Sequence, residues 1–96
     1  KALAHLKDNP DSYEAYNNIG LVYLQGQKYN DALQYFDKAI ELNPTAGNAY
    51  FNRALAYSRL QNNQMAIVDY EKFIKLKPND PNIDSAMKEV ERLKQL

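Results

Sequence analysis

The sequence predicts an all-α protein: two copies of a helix–turn–helix unit, followed by one further helix that closes the C-terminal end. Three observations carry this. The stretch AYNNIGLVYLQ at residues 15–25 is echoed 34 positions later by AYFNRALAYSR at residues 49–59. Within each copy the apolar residues fall at helical spacing. Turn-forming residues also interrupt both copies at matching places. With 96 residues, 45% hydrophobic and 25% charged, the chain has the make-up of one small globular domain.

Taken in order, residues 1–10 read as the tail of an earlier unit, with a short helix over 1–8 that carries Leu3 and Leu6. Asn9-Pro10 mirrors Asn43-Pro44, and a start in mid-helix at Lys1 is expected of a piece of a longer array. The next helix is expected over 12–25, opened by Asp11 and Glu14 at capping-box spacing and held by Tyr16, Ile19, Gly20 and Tyr23. Gln25-Gly26-Gln27 breaks it. A helix over 29–42 follows, with Ala32, Phe36 and Ala39 on one face, and Pro44 ends it. The second unit repeats this over 46–60 and 63–76, with Asn62-Asn63 expected to supply the left-handed residue in place of glycine. Asp80-Pro81 then reads as the start of a helix over 81–95, whose apolar stripe is Ile83, Met87, Val90 and Leu93.

Laid over 45–78, residues 11–44 are identical at eleven positions, among them Ala15/Ala49, Tyr16/Tyr50, Asn18/Asn52, Leu21/Leu55, Tyr23/Tyr57 and Pro44/Pro78. A fixed period of this length marks a repeat architecture. Small residues at Gly20, Ala32, Ala54 and Ala66 are expected where paired helices approach most closely.

The pattern Tyr16-x2-Ile19-Gly20-x2-Tyr23, then Ala32-x3-Phe36-x2-Ala39 and Pro44, resembles the tetratricopeptide repeat (TPR). Tyr50, Ala54, Tyr57, Ala66, Tyr70 and Pro78 carry the resemblance in the second unit. It departs at Arg53, where the family commonly has Leu, at Phe73, where a small residue is usual, and at Asn63, the counterpart of Tyr29. The resemblance implies a right-handed superhelical stack of antiparallel helix pairs, forming one domain over 1–96. Its parts are a remnant at 1–10, repeats at 11–44 and 45–78, and a capping helix within 79–96 that turns Lys88, Glu91, Arg92 and Gln95 to water.

Little points to catalysis. His5 is the only histidine, there is no cysteine, and Ser12, Ser58 and Ser85 have no evident base. No phosphate-binding glycine loop or metal-ligand spacing occurs, so neither cofactor nor metal is expected. Asp37, Lys38 and Glu41 read as a solvated helix face. Lys+Arg and Asp+Glu balance at 12 each, which leaves no cationic excess for a phosphate backbone, and nucleic acid is a weaker alternative. Most aromatics recur at core positions. No apolar run reaches the ~20 residues of a membrane span.

The resemblance implies a protein or peptide ligand, held on the concave surface that the first helix of each repeat lines. The candidates are Glu14, Asn17, Asn18, Leu21 and Leu24, then Asn48, Phe51, Asn52, Leu55 and Arg59. Asn18 and Asn52 recur once per unit, and each amide can bond a peptide backbone whatever its side chains. Alternatively they only fix repeat geometry, in a segment that stacks within a longer chain. Some family members grip a C-terminal carboxylate with Lys/Asn/Asn/Lys/Arg. Here those positions fall on Asn17, Leu21, Asn52, Asn82 and Ala86, or in the other register the basic pair falls on Asn48 and Asn52. Neither register supplies the cations, so a ligand with apolar or aromatic side chains is expected instead. Ala2, Leu3, Leu6 and Tyr13 are expected to leave an apolar N-terminal edge through which copies of the chain pair as a homodimer.

Overall fold

The computed structural model describes residues 12–96. Among these it holds five helices and no strand: α1 (Tyr13–Gln25), α2 (Tyr29–Leu42), α3 (Gly47–Arg59), α4 (Asn63–Leu76) and α5 (Ile83–Lys94). Each helix packs on the next, and α1 also touches α3. The helix expected over 1–8, the cap at Asp11, His5, and the edge residues Ala2, Leu3 and Leu6 lie outside the described residues.

Ser12 caps α1, its Oγ accepting the Ala15 N–H at 3.3 Å. The α1–α2 and α3–α4 turns have one geometry, but neither Gly26 nor Asn62 takes the left-handed conformation. That falls to Gln27 (φ 63°) and Gln61 (φ 62°), an identical pair in the repeat. In the first turn the Gln27 N–H donates to the Leu24 carbonyl at 3.0 Å and the Lys28 N–H to that of Tyr23 at 2.9 Å. In the second, Gln61 donates to Ser58 at 3.0 Å and Asn62 to Tyr57 at 2.9 Å. This closure puts the positive φ one residue past the cap, at Gln27 rather than Gly26. A glutamine held there carries a Cβ penalty that glycine lacks. Gln27→Gly and Gln61→Gly are therefore each expected to raise stability by roughly 0.5–1 kcal/mol in urea denaturation.

Between the units, Asn43 Oδ1 accepts from the Thr45 N–H at 3.2 Å and its hydroxyl at 2.9 Å. The Tyr50 hydroxyl donates to the Pro44 carbonyl at 2.9 Å, tying the connecting turn to α3. Asp80 does not cap α5 directly. Its Oδ1 accepts the Asn82 N–H at 2.9 Å in a turn that contains Pro81, and the helix begins at Ile83.

The close approaches fall where the small residues are. Ala32, Ala54 and Ala66 are fully buried, and a Cβ at Gly20 would lie 2.6 Å from the Phe36 ring. The largest cluster joins Tyr50 and Ala54 of α3, Tyr70 and Phe73 of α4, and Ala86, Val90 and Leu93 of α5. Met87 is not in the buried stripe of α5 and is 50% exposed. At 100° per residue it falls on the flank of the arc between Ala86 and Val90. Small Ala86 takes the middle and lets α5 close on α4. The aromatics divide: Phe36, Tyr50, Tyr70 and Phe73 are buried, while Tyr16, Tyr23, Tyr35, Phe51 and Tyr57 are half-buried.

Asp37 is not simply solvated. Arg53 Nη1 reaches its Oδ1 at 2.9 Å, and Arg53 also grips Asp69 through Nε (2.7 Å) and Nη2 (2.8 Å). Asp69 is 1% exposed. The guanidinium lies 5.6 Å from the Tyr50 ring centre and 5.9 Å from that of Tyr57. Burial pulls the Arg53 pKa down, but hydrogen bonding and charge at Asp69, helped by Asp37, raise it overall. Lys38 and Glu41 form the expected surface pair at 3.2 Å.

Candidate functional site

On α1, Glu14, Asn17, Asn18, Leu21 and Leu24 are spaced by three and four residues, or one between neighbours, and so share one face. Asn48, Phe51, Asn52, Leu55 and Arg59 do the same on α3. The structure brings most of them to the borders of three depressions. The first, about 390 Å³, is bordered by Tyr13, Glu14, Asn17, Asn18 and Asn48. A second of about 300 Å³ lies among Leu24, Gln25, Gln27, Tyr29, Leu55 and Arg59. The third, about 530 Å³, shares Leu55 and Arg59 with the second and adds Phe51, Ser58, Gln61, Tyr70, Ser85, Glu89 and Arg92. The face is thus polar toward the N-terminal halves of α1 and α3, and mixed apolar and cationic toward their C-terminal halves.

The two repeated asparagines differ in surroundings. Asn52 is half-buried and donates from Nδ2 to Asn17 Oδ1 at 3.0 Å, which links α3 to α1. Asn18 is exposed and opens on the first depression. Leu21 is half-buried and borders none of the three. Phe51 is half-buried, its ring 4.9 Å from Phe73 and 5.7 Å edge-on to Tyr70. Phe73, the departure from a small residue, is 1% exposed and supports that ring.

The sequence did not reveal the contribution of α5. Glu89 and Arg92, which border the third depression, form a two-point pair at 3.2 and 2.9 Å. Their opposite charges at a three-residue spacing were the available signal. Tyr70 was legible only as a core residue. Its hydroxyl is buried with no hydrogen-bond partner, and burial pushes its pKa up to about 12, with Glu89 adding to the rise.

Among the described residues no group of three or more His, Cys, Asp or Glu could hold a metal ion. No described helix is long and apolar enough to cross a membrane.

The family profile of the tetratricopeptide repeat matches residues 13–46 and 47–80, one span for each helix pair. The chain belongs to the tetratricopeptide repeat family. Its TPR units begin at Tyr13 and Gly47, the first residues of α1 and α3. Among solved structures, the first TPR of Spaghetti (RPAP3) bound to the HSP90 peptide SRMEEVD superposes with a TM-score of 0.88. It is 26% identical, over 98% of this chain and 72% of that one. The first TPR domain of human RPAP3 gives the same values of 0.88, 26%, 98% and 72%. The TPR2B domain of yeast Sti1, in a pHsp70 complex, has a TM-score of 0.89 at 18% identity, covering 98% of this chain and 78% of that one. That likeness is one of fold alone. A sequence comparison with curated proteins finds no match. TPR domains are in general protein-interaction domains.

Proposed function

We propose that this TPR domain is a non-catalytic scaffold that holds an extended peptide segment of a partner protein across the α1/α3 face. The observation that carries this is the run of depressions along one face of α1 and α3, amide-rich at one end and lined by Leu24, Leu55 and Phe51 at the other. Asn52 spends one N–H on Asn17. Its carbonyl and second N–H, together with the exposed Asn18 amide, remain for a peptide backbone. Leu24 and Leu55 offer apolar surface to alternate side chains of an extended strand. The RPAP3 domain that shares this fold at 26% identity is bound to a peptide, which supports the same class of ligand here.

A terminal-carboxylate clamp is not part of the proposal. Its counterpart positions are Asn17, Leu21, Asn52, Asn82 and Ala86, which are uncharged, and Ala86 is fully buried. A bare carboxylate there would lack charge-assisted donors.

The reading is tested on a peptide array with wild type and Asn18→Ala/Asn52→Ala. Losing a hydrogen bond at each position costs roughly 0.5–1.5 kcal/mol, so affinity should fall about tenfold or more in the double variant. Self-association without capture of any peptide would favour a purely structural segment, and salt-sensitive RNA binding would favour a nucleic-acid repeat.

A further inference from the structure

We propose that the depression between α3, α4 and α5 is a subsite for the side-chain carboxylate of an Asp or Glu in the bound peptide, with Arg59 as its cation and the Tyr70 hydroxyl as a second donor. The inference rests on the peptide-binding reading above and adds a charge requirement to it.

The chain has three arginines, and two are already occupied. Arg53 holds Asp69 and Asp37, and Arg92 holds Glu89. Arg59 is exposed, and among the described residues no carboxylate lies within ion-pair distance of it. It stands on the rim that the second and third depressions share. A free guanidinium above apolar Leu55 and Phe51 is a strong anchor for a carboxylate, because a ligand there displaces water that would otherwise screen the pair.

Tyr70 is the independent observation. Its side chain is 1% exposed and forms part of the same wall, yet its hydroxyl has no hydrogen-bond partner. Tyr70 lines the third depression together with Arg59, Glu89 and Arg92. A buried donor left unmade is costly to the free protein. A carboxylate drawn in by Arg59 supplies the missing acceptor.

Charge selects the ligand. Arg59 and Arg92 against Glu89 leave one net positive charge, which suits a monoanion, and Glu89 disfavours a phosphate dianion. A side chain is favoured over a chain terminus because the terminal-carboxylate positions of the fold carry no cation here. The expected segment therefore places an apolar residue against Leu24 and Leu55, with an acidic residue beyond Arg59.

The test uses short acetylated and amidated peptides that contain leucine and carry Glu, Gln or Lys at one scanned position, so that side chains bear the only carboxylates. Wild type should prefer the Glu over the Gln peptide about tenfold at one position. Arg59→Gln should abolish that preference, weakening the Glu peptide about tenfold more than the Gln peptide. Tyr70→Phe, which keeps the ring and loses only the orphaned hydroxyl, should reduce the preference about threefold. Peptides bound without discrimination between Glu and Gln would overturn the subsite and leave the peptide-binding reading standing. An undiminished preference in both variants, or equal losses for Glu and Gln peptides in Arg59→Gln, would also overturn it. Wild type that binds no peptide at all overturns both.

Discussion

Arg53→Leu is expected to lower stability by about 3–5 kcal/mol, because it leaves the Asp69 carboxylate buried without its partner. In a domain this small that is most of a total that starts near 5 kcal/mol, so the variant should be largely unfolded in mild urea. The Asp37 contact contributes little to this figure, since its side chain is 57% exposed and solvent screens it. The first unit shows how the same position is filled without charge. By the 34-residue period Arg53 corresponds to Ile19 and Asp69 to Tyr35. Tyr35 stacks on Tyr23 at 5.3 Å and on Tyr16 at 6.5 Å, whereas Arg53 lies over their counterparts Tyr57 and Tyr50. The double variant Arg53→Ile/Asp69→Tyr should consequently recover most of the loss, and a recovery below 1 kcal/mol (roughly, on the scale of a failed buried-pair replacement) would refute the correspondence. The sign of the pH effect follows from the raised Arg53 pKa. The stabilisation is fully present below the ordinary arginine value and is lost only as pH climbs through the higher folded value. Titration of Arg53 should therefore leave the pair unaffected across the neutral range.

Phe36→Ala is expected to cost about 3–5 kcal/mol, the range for emptying a buried aromatic site. Phe36 is fully buried with Ala32 and Ala56, and its ring fills the space that Gly20 leaves open. The converse change tests the same contact. In an exposed helix Gly→Ala gains about 1 kcal/mol, but at Gly20 the new Cβ meets ring carbons at 2.6 and 2.7 Å. A fully buried ring cannot move cheaply, so overpacking of about 1–3 kcal/mol outweighs the propensity gain. Gly20→Ala should be net destabilising. Gly47→Ala is the control: its Cβ would meet Lys77 Cγ at 2.5 Å, the side chain of an exposed and flexible lysine. Clearing Cγ takes a rotation about the Lys77 Cα–Cβ bond, which an exposed side chain makes at less cost than a buried ring moves, so Gly47→Ala should be clearly less destabilising than Gly20→Ala. Thermal unfolding followed by circular dichroism reads all three variants, and similar effects at the two glycines would refute the argument.

The residues of α1 and α3 that form the groove face were readable because a helix presents every third and fourth residue together. What those residues do there was less readable. Asn18 and Asn52 are equivalent in the period, yet Asn52 bonds Asn17 and Asn18 opens on a depression. Phe51 was legible as a groove residue, but its support by Tyr70 and Phe73 comes from α4, and the period does not encode that contact.

The sequence by itself determined the number, order and approximate ends of the described helices, because the 34-residue period, the apolar spacing and the breakers are properties of local segments. It also marked places where helices approach, since Gly20, Ala32, Ala54 and Ala66 are small and recur at matching positions of the two units. The tertiary structure alone decided which members of those patterns pair. It joined Arg53 to Asp69 across 16 positions, turned Met87 outward in favour of Ala86, and left the Tyr70 hydroxyl buried without a partner. It also placed the strained residue of each turn at glutamine, one step past the expected breaker in the first unit and one before it in the second. The physical reason is the same in each case. Spacing along a helix fixes the face on which a residue stands, whereas its partner is set by the angle and closeness at which another helix arrives.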